Sequence, residues 1–219
     1  MESLINSDTD LLLFLNGFNA PLWDHFFWIS TSIIIWLPLY AVLLYSIIKA
    51  HGIRAIWTLL AIALVVVLCD QISSGFFKPF FERPRPSREP ALEGLLHLVN
   101  EYRGGKFGFV SSHATNSFGL AMFSTLLFKD KGFTFFIFSW ALLNSYSRIY
   151  LGVHYPGDIL AGGLLGILLG WLVYWLYDRF INRMVTVIAK PHQQYDTRTI
   201  VFTGILSIVI ILLSAKTLI

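Results

Sequence analysis

The sequence predicts an all-α fold: a polytopic membrane bundle of about six transmembrane helices, with an N-terminal interfacial helix and a helical loop outside the membrane. Three observations predict it. Hydrophobic residues make up 56% of the 219-residue chain and charged residues only 13%, against roughly 25% charged in ordinary globular proteins. The apolar residues gather in runs close to the roughly 20 that a bilayer-crossing helix needs. No repeat, low-complexity tract or linker divides the chain, so residues 1–219 read as one domain.

The elements follow in order. In "DTDLLLFLNGF", Asp8 or Asp10 is a candidate N-cap and Gly17 a stop. A helix of that length lies in the interface rather than spanning. The opening "MESLINSDTD" has no basic stretch ahead of its apolar residues, which argues against a cleavable signal peptide. The spans read as Phe26–Ile48, Ala55–Phe77, Ser112–Phe128, Gly132–Tyr146, Pro156–Tyr177 and Thr199–Ala215, the third and fourth being short. Between the second and third lies the long segment Lys78–Val110. Within it "EPALEGLLHLVNEY" reads as a short amphipathic helix, with Pro90 early and Leu92, Leu95, Leu96 and Val99 on one side. It packs at the interface or covers the site as a lid, and Gly104 and Gly105 give a flexible return.

The net charge of +3 is small and the basic residues are scattered, which does not suggest nucleic acid. Cys69 is the single cysteine, so no disulfide forms within the chain. Cytoplasmic loops collect Lys and Arg. Lys49 and Arg54, Lys129 and Lys131, and Arg179, Arg183, Lys190 and Arg198 fall on one side if there are six spans. That side is then the cytoplasm, and both termini lie outside. The long outer loop is also basic, through Lys78, Arg83, Arg85, Arg88, Arg103 and Lys106, which breaks the rule unless those residues have another task.

Three clusters supply that task. "KPFFERPRP" holds Lys78 and Arg85 on a path stiffened by Pro79, Pro84 and Pro86. "FVSSHATN" opens the third span: Ser111 or Ser112 is a natural N-cap and His113 lies in the first turn, where free N–H groups and a partial positive charge suit an anion. "SRIYLGVHYPGD" holds Arg148, His154 and Asp158. Pro156 suits the first helical position, which puts Asp158 close enough to accept the His154 imidazole N–H and leave the other ring nitrogen free as a nucleophile. Each residue taken alone also fits a plainer role, as a snorkelling cation, a serine cap or a helix-dipole acid. By parity of spans, all three clusters face the same side. Three fixed cations with backbone N–H groups suit a phosphate. Glu82, Glu89, Glu93 and Glu101 show no metal-ligand spacing and read as solvated loop charges.

The combined pattern, Lys78-x6-Arg85-Pro86, then Ser111-Ser112-His113, then Ser147-Arg148-x5-His154-x3-Asp158, resembles the three-part signature of the type-2 phosphatidic acid phosphatases. That superfamily also holds vanadium haloperoxidases and acid phosphatases. The resemblance covers residues 78–158. It implies that His154 is the nucleophile, forming a phosphohistidine. It implies that Asp158 orients His154 and that His113 protonates the leaving group. Lys78, Arg85, Arg148 and Ser111, with the N–H groups of Ser112 and His113, would hold the phosphate. Two positions depart from the usual Pro-Ser-Gly-His: Val110 stands for the proline and Ser112 for the glycine.

The resemblance therefore implies a lipid phosphatase of the bacterial inner membrane with its site facing the periplasm and its cations built in, needing no metal or cofactor. Its partners would be membrane lipids and a phosphorylated lipid substrate: undecaprenyl diphosphate, phosphatidylglycerol phosphate, phosphatidic acid or a lipid A phosphate. The sequence specifies no oligomeric state. A transporter or binding protein for phosphorylated lipids is the alternative, although binding alone would need the cations and not His113, His154 and Asp158. A haloperoxidase-like vanadate protein fits poorly with six spans.

Overall fold

The computed structural model describes residues 2–182 and 195–219, all of whose regular structure is helical. Arg183 and Lys190, two of the predicted cytoplasmic cations, lie outside the described residues. Helix α1 (Glu2–Asn16) begins well before Asp8 and Asp10, so neither caps it. Its Leu12 is fully buried against Leu92, Ile149 and Tyr155, which docks α1 on the bundle.

The predicted first span is broken. Helix α2 (Pro21–Ser30) stops at Thr31, a 3-10 turn covers Ile34–Trp36, and α3 (Leu37–His51) follows. At the break Ile34 N–H turns to Ser32 Oγ at 3.4 Å and so leaves the Ser30 carbonyl free, while Pro38, which has no N–H to give, sits in the first turn of α3, where it is tolerated. Trp36 Nε1 donates to the freed carbonyl of Ser30 at 2.8 Å. Gly52, at φ 57°, ends α3. Helix α4 (Ala55–Asp70) then runs through a π-helical stretch, Gln71–Phe77, into α5 (Lys78–Phe81). Lys78 thus lies on this continuous helix rather than beyond it.

The predicted loop helix is absent. "EPALEGLLHLVNEY" folds as two 3-10 turns, Pro90–Leu92 and Val99–Glu101, with positive φ at Gly94, Asn100 and Glu101. Leu92 and Val99 are buried one by one, while Leu95 faces out. Asn16 holds this loop by exchanging hydrogen bonds with the backbone of His97 at 2.8 and 3.1 Å.

Helix α6 (Ser112–Phe128) matches its predicted bounds. Helix α7 (Lys131–Tyr150), capped by Asp130, runs past the predicted end at Tyr146 and so carries Arg148 on its last turn. Helix α8 (Pro156–Leu176) passes into a π-helical turn at Tyr177–Asn182, and α9 (Thr197–Thr217) closes the chain. Among the described residues, three helical stretches are long and apolar enough to cross a membrane: Ile34–Phe81, Pro156–Ile181 and Thr197–Thr217. The first contains both α3 and α4. Helices α6 and α7, predicted as spans, are not among the three. They carry polar residues inside the bundle, among them Thr115, Ser117, Ser124, Asn144 and Ser145.

Helix α8 explains how the site is assembled. Leu160, Leu164 and Leu168 are exposed on one side. Gly162, Gly166 and Gly170 lie on the other, pressed on α6: a Cβ at these positions would sit 2.6 Å from Ser111 O, 2.3 Å from Thr115 O and 2.4 Å from Gly119 O. Small residues at this spacing let helix backbones touch, the main source of helix association where lipid removes the hydrophobic drive. The contact brings the N-terminus of α6 beside that of α8.

Candidate active site

Ser111 is the N-cap of α6, its Oγ accepting from Ala114 N at 3.5 Å. Its own N–H donates to the carbonyl of Asp158 at 3.0 Å, so the first turns of α6 and α8 are tied directly. The Asp158 carboxylate then looks back across its own helix start. Its Oδ2 accepts from the N–H of Tyr155 at 3.1 Å and lies 3.2 Å from His154 Nδ1. Both Asp158 and His154 are removed from solvent.

The tautomer of His154 follows from its two neighbours. Arg85 Nη1 lies 3.0 Å from His154 Nε2. A guanidinium has only donors, so Nε2 must accept and the ring proton sits on Nδ1, facing the carboxylate. Burial first, then the charges of Arg85, Arg148, Lys78 and Arg83, hold the imidazole well below its usual pKa range. Asp158 does not reverse this, because its other oxygen, Oδ1, already accepts from Arg83 at 3.0 Å. His154 is therefore neutral with one lone pair aimed at the cations.

Arg85 is placed by its backbone and side-chain bonds: Nε donates to Phe107 O at 3.2 Å and Nη1 to Val153 O at 3.2 Å. Burial and the nearby Arg148 lower its pKa, yet the guanidinium keeps its proton at any working pH. Arg148 is buried, donating to Thr31 Oγ1 at 2.5 Å and to the hydroxyl of Tyr102 at 3.3 Å, with Nε unpaired. Lys78 Nζ donates to Ser112 Oγ at 2.6 Å. The hydroxyl at the position of the family glycine thus receives a cation, and it is also bonded to Ser74 at 2.8 Å. His113 is exposed, within electrostatic reach of Lys78, Arg85, Arg148 and His154. The candidate site residues Lys78, Arg85, Ser111, Ser112, His113, Arg148, His154 and Asp158 come together at one end of the bundle.

Residues 54–182 match the PAP2 superfamily, more than half of the chain. The chain belongs to the PAP2 superfamily. A Lipid A 4'-phosphatase of Bacteroides thetaiotaomicron is 42% identical over 213 residues, 95% of each chain. Among solved structures, Aquifex aeolicus LpxE matches with 29% identity and a TM-score of 0.56, covering 75% of this chain and 93% of its own. A PAP2-type phosphatidylglycerolphosphate phosphatase from Bacillus subtilis shares the fold, with a TM-score of 0.61 at 22% identity over 82% of this chain and 89% of its own. With its apolar helices, the protein is a membrane-embedded lipid phosphatase of the PAP2 type.

Four residues bonded to this candidate site escaped the sequence reading: Thr31 and Tyr102 on Arg148, Arg83 on Asp158, and Asp8 on Arg83. Arg83 had a signal, as a further cation inside the first motif. Thr31 had none in its own neighbourhood, since Pro38 starts the next helix rather than ending this one. Tyr102 and Asp8 had none.

Proposed function

We propose that this protein removes a phosphate from a lipid A-type glycolipid through a phosphohistidine. The arrangement of His154 carries the reading: a neutral imidazole with its Nδ1 proton on a buried carboxylate and its Nε2 lone pair among three cations. Arg85, Arg148 and Lys78 take the non-bridging oxygens of the phosphate, with Ser111 shaping the α6 N-terminus and the N–H groups of Ser112 and His113 directed at the anion. Arg85 leaves Nε2 to do so. The Nε2 lone pair attacks phosphorus as the bond to the lipid oxygen breaks, and His113 gives its proton to that oxygen. Water then attacks phosphorus as the Nε2–P bond breaks, giving a proton to His113, and phosphate and neutral His154 are released. The built-in cations supply the electrostatic stabilisation that dominates phosphoryl transfer.

The preference for a lipid A-type substrate rests on the near full-length match to the Bacteroides thetaiotaomicron enzyme. An undecaprenyl-diphosphatase of Bacillus subtilis matches over only 32% of this chain. We place six spans in the bacterial inner membrane with the site facing the periplasm, which gives the basic loop residues their task. The purified protein should be offered lipid A bisphosphate, phosphatidylglycerol phosphate, phosphatidic acid and undecaprenyl diphosphate, with phosphate release and product mass as readouts. Loss of a single phosphate from lipid A at the highest kcat/KM is expected. Preference for any other substrate overturns the assignment of substrate, and release from none overturns the reading as a whole.

A further inference from the structure

Arg83 stands at the centre of a chain of charges that begins on α1. Its Nη2 donates to Asp8 Oδ2 at 2.8 Å and its Nη1 to Asp158 Oδ1 at 3.0 Å. Its guanidinium lies over the ring of Tyr155, 3.9 Å from the centroid. The other oxygen of Asp8 accepts from Gly157 N at 2.7 Å, in the first turn of α8. The packing leaves no slack: a Cβ at Gly157 would meet Asp8 Oδ2 at 2.7 Å, and one at Gly108 would meet Asp158 Oδ2 at 2.9 Å. Asp158 is fully buried, whereas Arg83 and Asp8 keep side-chain exposures of 24% and 15%.

We propose that Arg83 and Asp8 are positioning residues for phosphoryl transfer, through which the N-terminal helix sets the orientation of Asp158 and hence of His154. The proposal rests on His154 being the nucleophile. Asp158 Oδ2 is shared between His154 and the Tyr155 N–H, so the carboxylate plane is set by what holds Oδ1, and that is Arg83. A guanidinium presents its donors as a rigid fork and can bridge two carboxylates with fixed geometry. Asp8 fixes the far side of that fork and, through Gly157, the helix turn that carries Asp158. Neither residue touches the phosphate cations Lys78, Arg85 or Arg148 by any described hydrogen bond.

The test is a two-by-two cycle of Arg83→Gln and Asp8→Asn in the full-length protein, with kcat and KM measured on a lipid phosphate that the wild type hydrolyses. Asparagine at 8 keeps an acceptor for Gly157 N–H, while its NH2 replaces the oxygen that accepts from Arg83 and so removes that bond together with the charge. Arg83→Gln should lower kcat by about 10-fold to 100-fold with KM within about 2-fold, as expected for a misdirected reacting group. Asp8→Asn should lower kcat less, and the double variant should match Arg83→Gln alone, because Asp8 acts through Arg83. Arg83→Lys should recover part of kcat. Losses that multiply in the double variant, or that appear in KM, overturn the proposal, as does wild-type kcat in Arg83→Gln. If Arg83→Gln fails to fold, Asp8→Asn decides the matter: a lowered kcat at wild-type KM supports the proposal and an unchanged kcat overturns it. His154→Ala run alongside separates the two levels. If that variant keeps wild-type activity, the catalytic reading itself has failed, whatever Arg83 does.

Discussion

Replacing Gly166 by alanine would place a Cβ 2.3 Å from the carbonyl oxygen of Thr115 and 2.9 Å from Gly119 N. Both are backbone atoms of α6, so no side chain can swing aside. Ordinary contact begins near 3.4 Å, so the helices must part by about 1 Å at this level. Overpacking of this kind costs about 1–3 kcal/mol. The larger effect falls on catalysis. One turn toward the site, Gly162 faces Ser111 O, and Ser111 N–H is bonded to Asp158 O. Parting α6 from α8 therefore moves Ser112 and His113 away from His154 and Asp158. A misplacement of about 1 Å can cost on the order of 10² in rate. Gly166→Ala is expected to lower kcat on a lipid phosphate by about 10-fold to 100-fold, and its thermal midpoint in detergent by about 2–4 °C per kcal/mol lost. Gly105→Ala is the control, since its Cβ meets nothing within 4 Å. Wild-type kcat and midpoint in Gly166→Ala would refute the reasoning that this glycine contact sets the site.

His154→Ala should abolish phosphate release while leaving folding and lipid binding near normal; more than a few per cent of wild-type kcat would exclude the covalent step. The acid limb of kcat/KM should lie below the ordinary imidazole value of about 6.5, because the proposed mechanism needs neutral His154 and burial with the surrounding cations depresses its pKa. The rate thus holds as pH falls through that value, and a limb near it would show a solvated histidine instead. His113→Ala should lose about 10²–10⁴-fold on a lipid monophosphate but far less on p-nitrophenyl phosphate, whose leaving group needs no proton; equal losses would remove the acid role. A cysteine at Gly105 should react with an impermeant reagent from the periplasmic side and one at Asp130 should not, and the reverse pattern would put the site in the cytoplasm.

What the sequence made legible is what depends on short spacing. His154 and Asp158 lie one helical turn apart, so a single entry into α8 brings them together. Ser111, Ser112 and His113 share one helix start. Pattern misled where the same periodicity served another geometry. Leu92, Leu95, Leu96 and Val99 recur as on a helix, but Gly94 at φ 78° ends any helix between them, and burial is met residue by residue. The break at Thr31 was hidden by continuous apolarity. The contacts that orient the site are distant in sequence: Arg83 to Asp158 and to Asp8 across 75 residues each, Arg148 to Thr31 across 117. Spacing carries no record of such pairs. The glycine row of α8 was visible as Gly162, Gly166 and Gly170, but only the fold shows that it faces α6 and not lipid.

Asp158 makes clear why fold and chemistry are hard to separate in this site. Its Oδ2 caps the start of α8 through Tyr155 N–H and holds His154 Nδ1, while Oδ1 receives Arg83. All three partners are donors, so the group that fills this place must accept on both atoms, which only an ionised carboxylate does. Asparagine cannot. If its oxygen faces Tyr155 and His154, its NH2 points at the Arg83 guanidinium; if the oxygen faces Arg83, the NH2 points at Tyr155 N–H. The second arrangement would also force His154 Nδ1 to accept and put the ring proton on Nε2, the atom proposed to attack phosphorus. Asp158→Asn is thus expected to combine a loss of kcat with a loss of stability from an unpaired buried donor, about 1–3 kcal/mol. It should still retain more activity than His154→Ala, since the nucleophile itself remains. An Asp158→Asn variant with unchanged thermal midpoint and unchanged kcat would show that the carboxylate neither caps α8 nor directs His154.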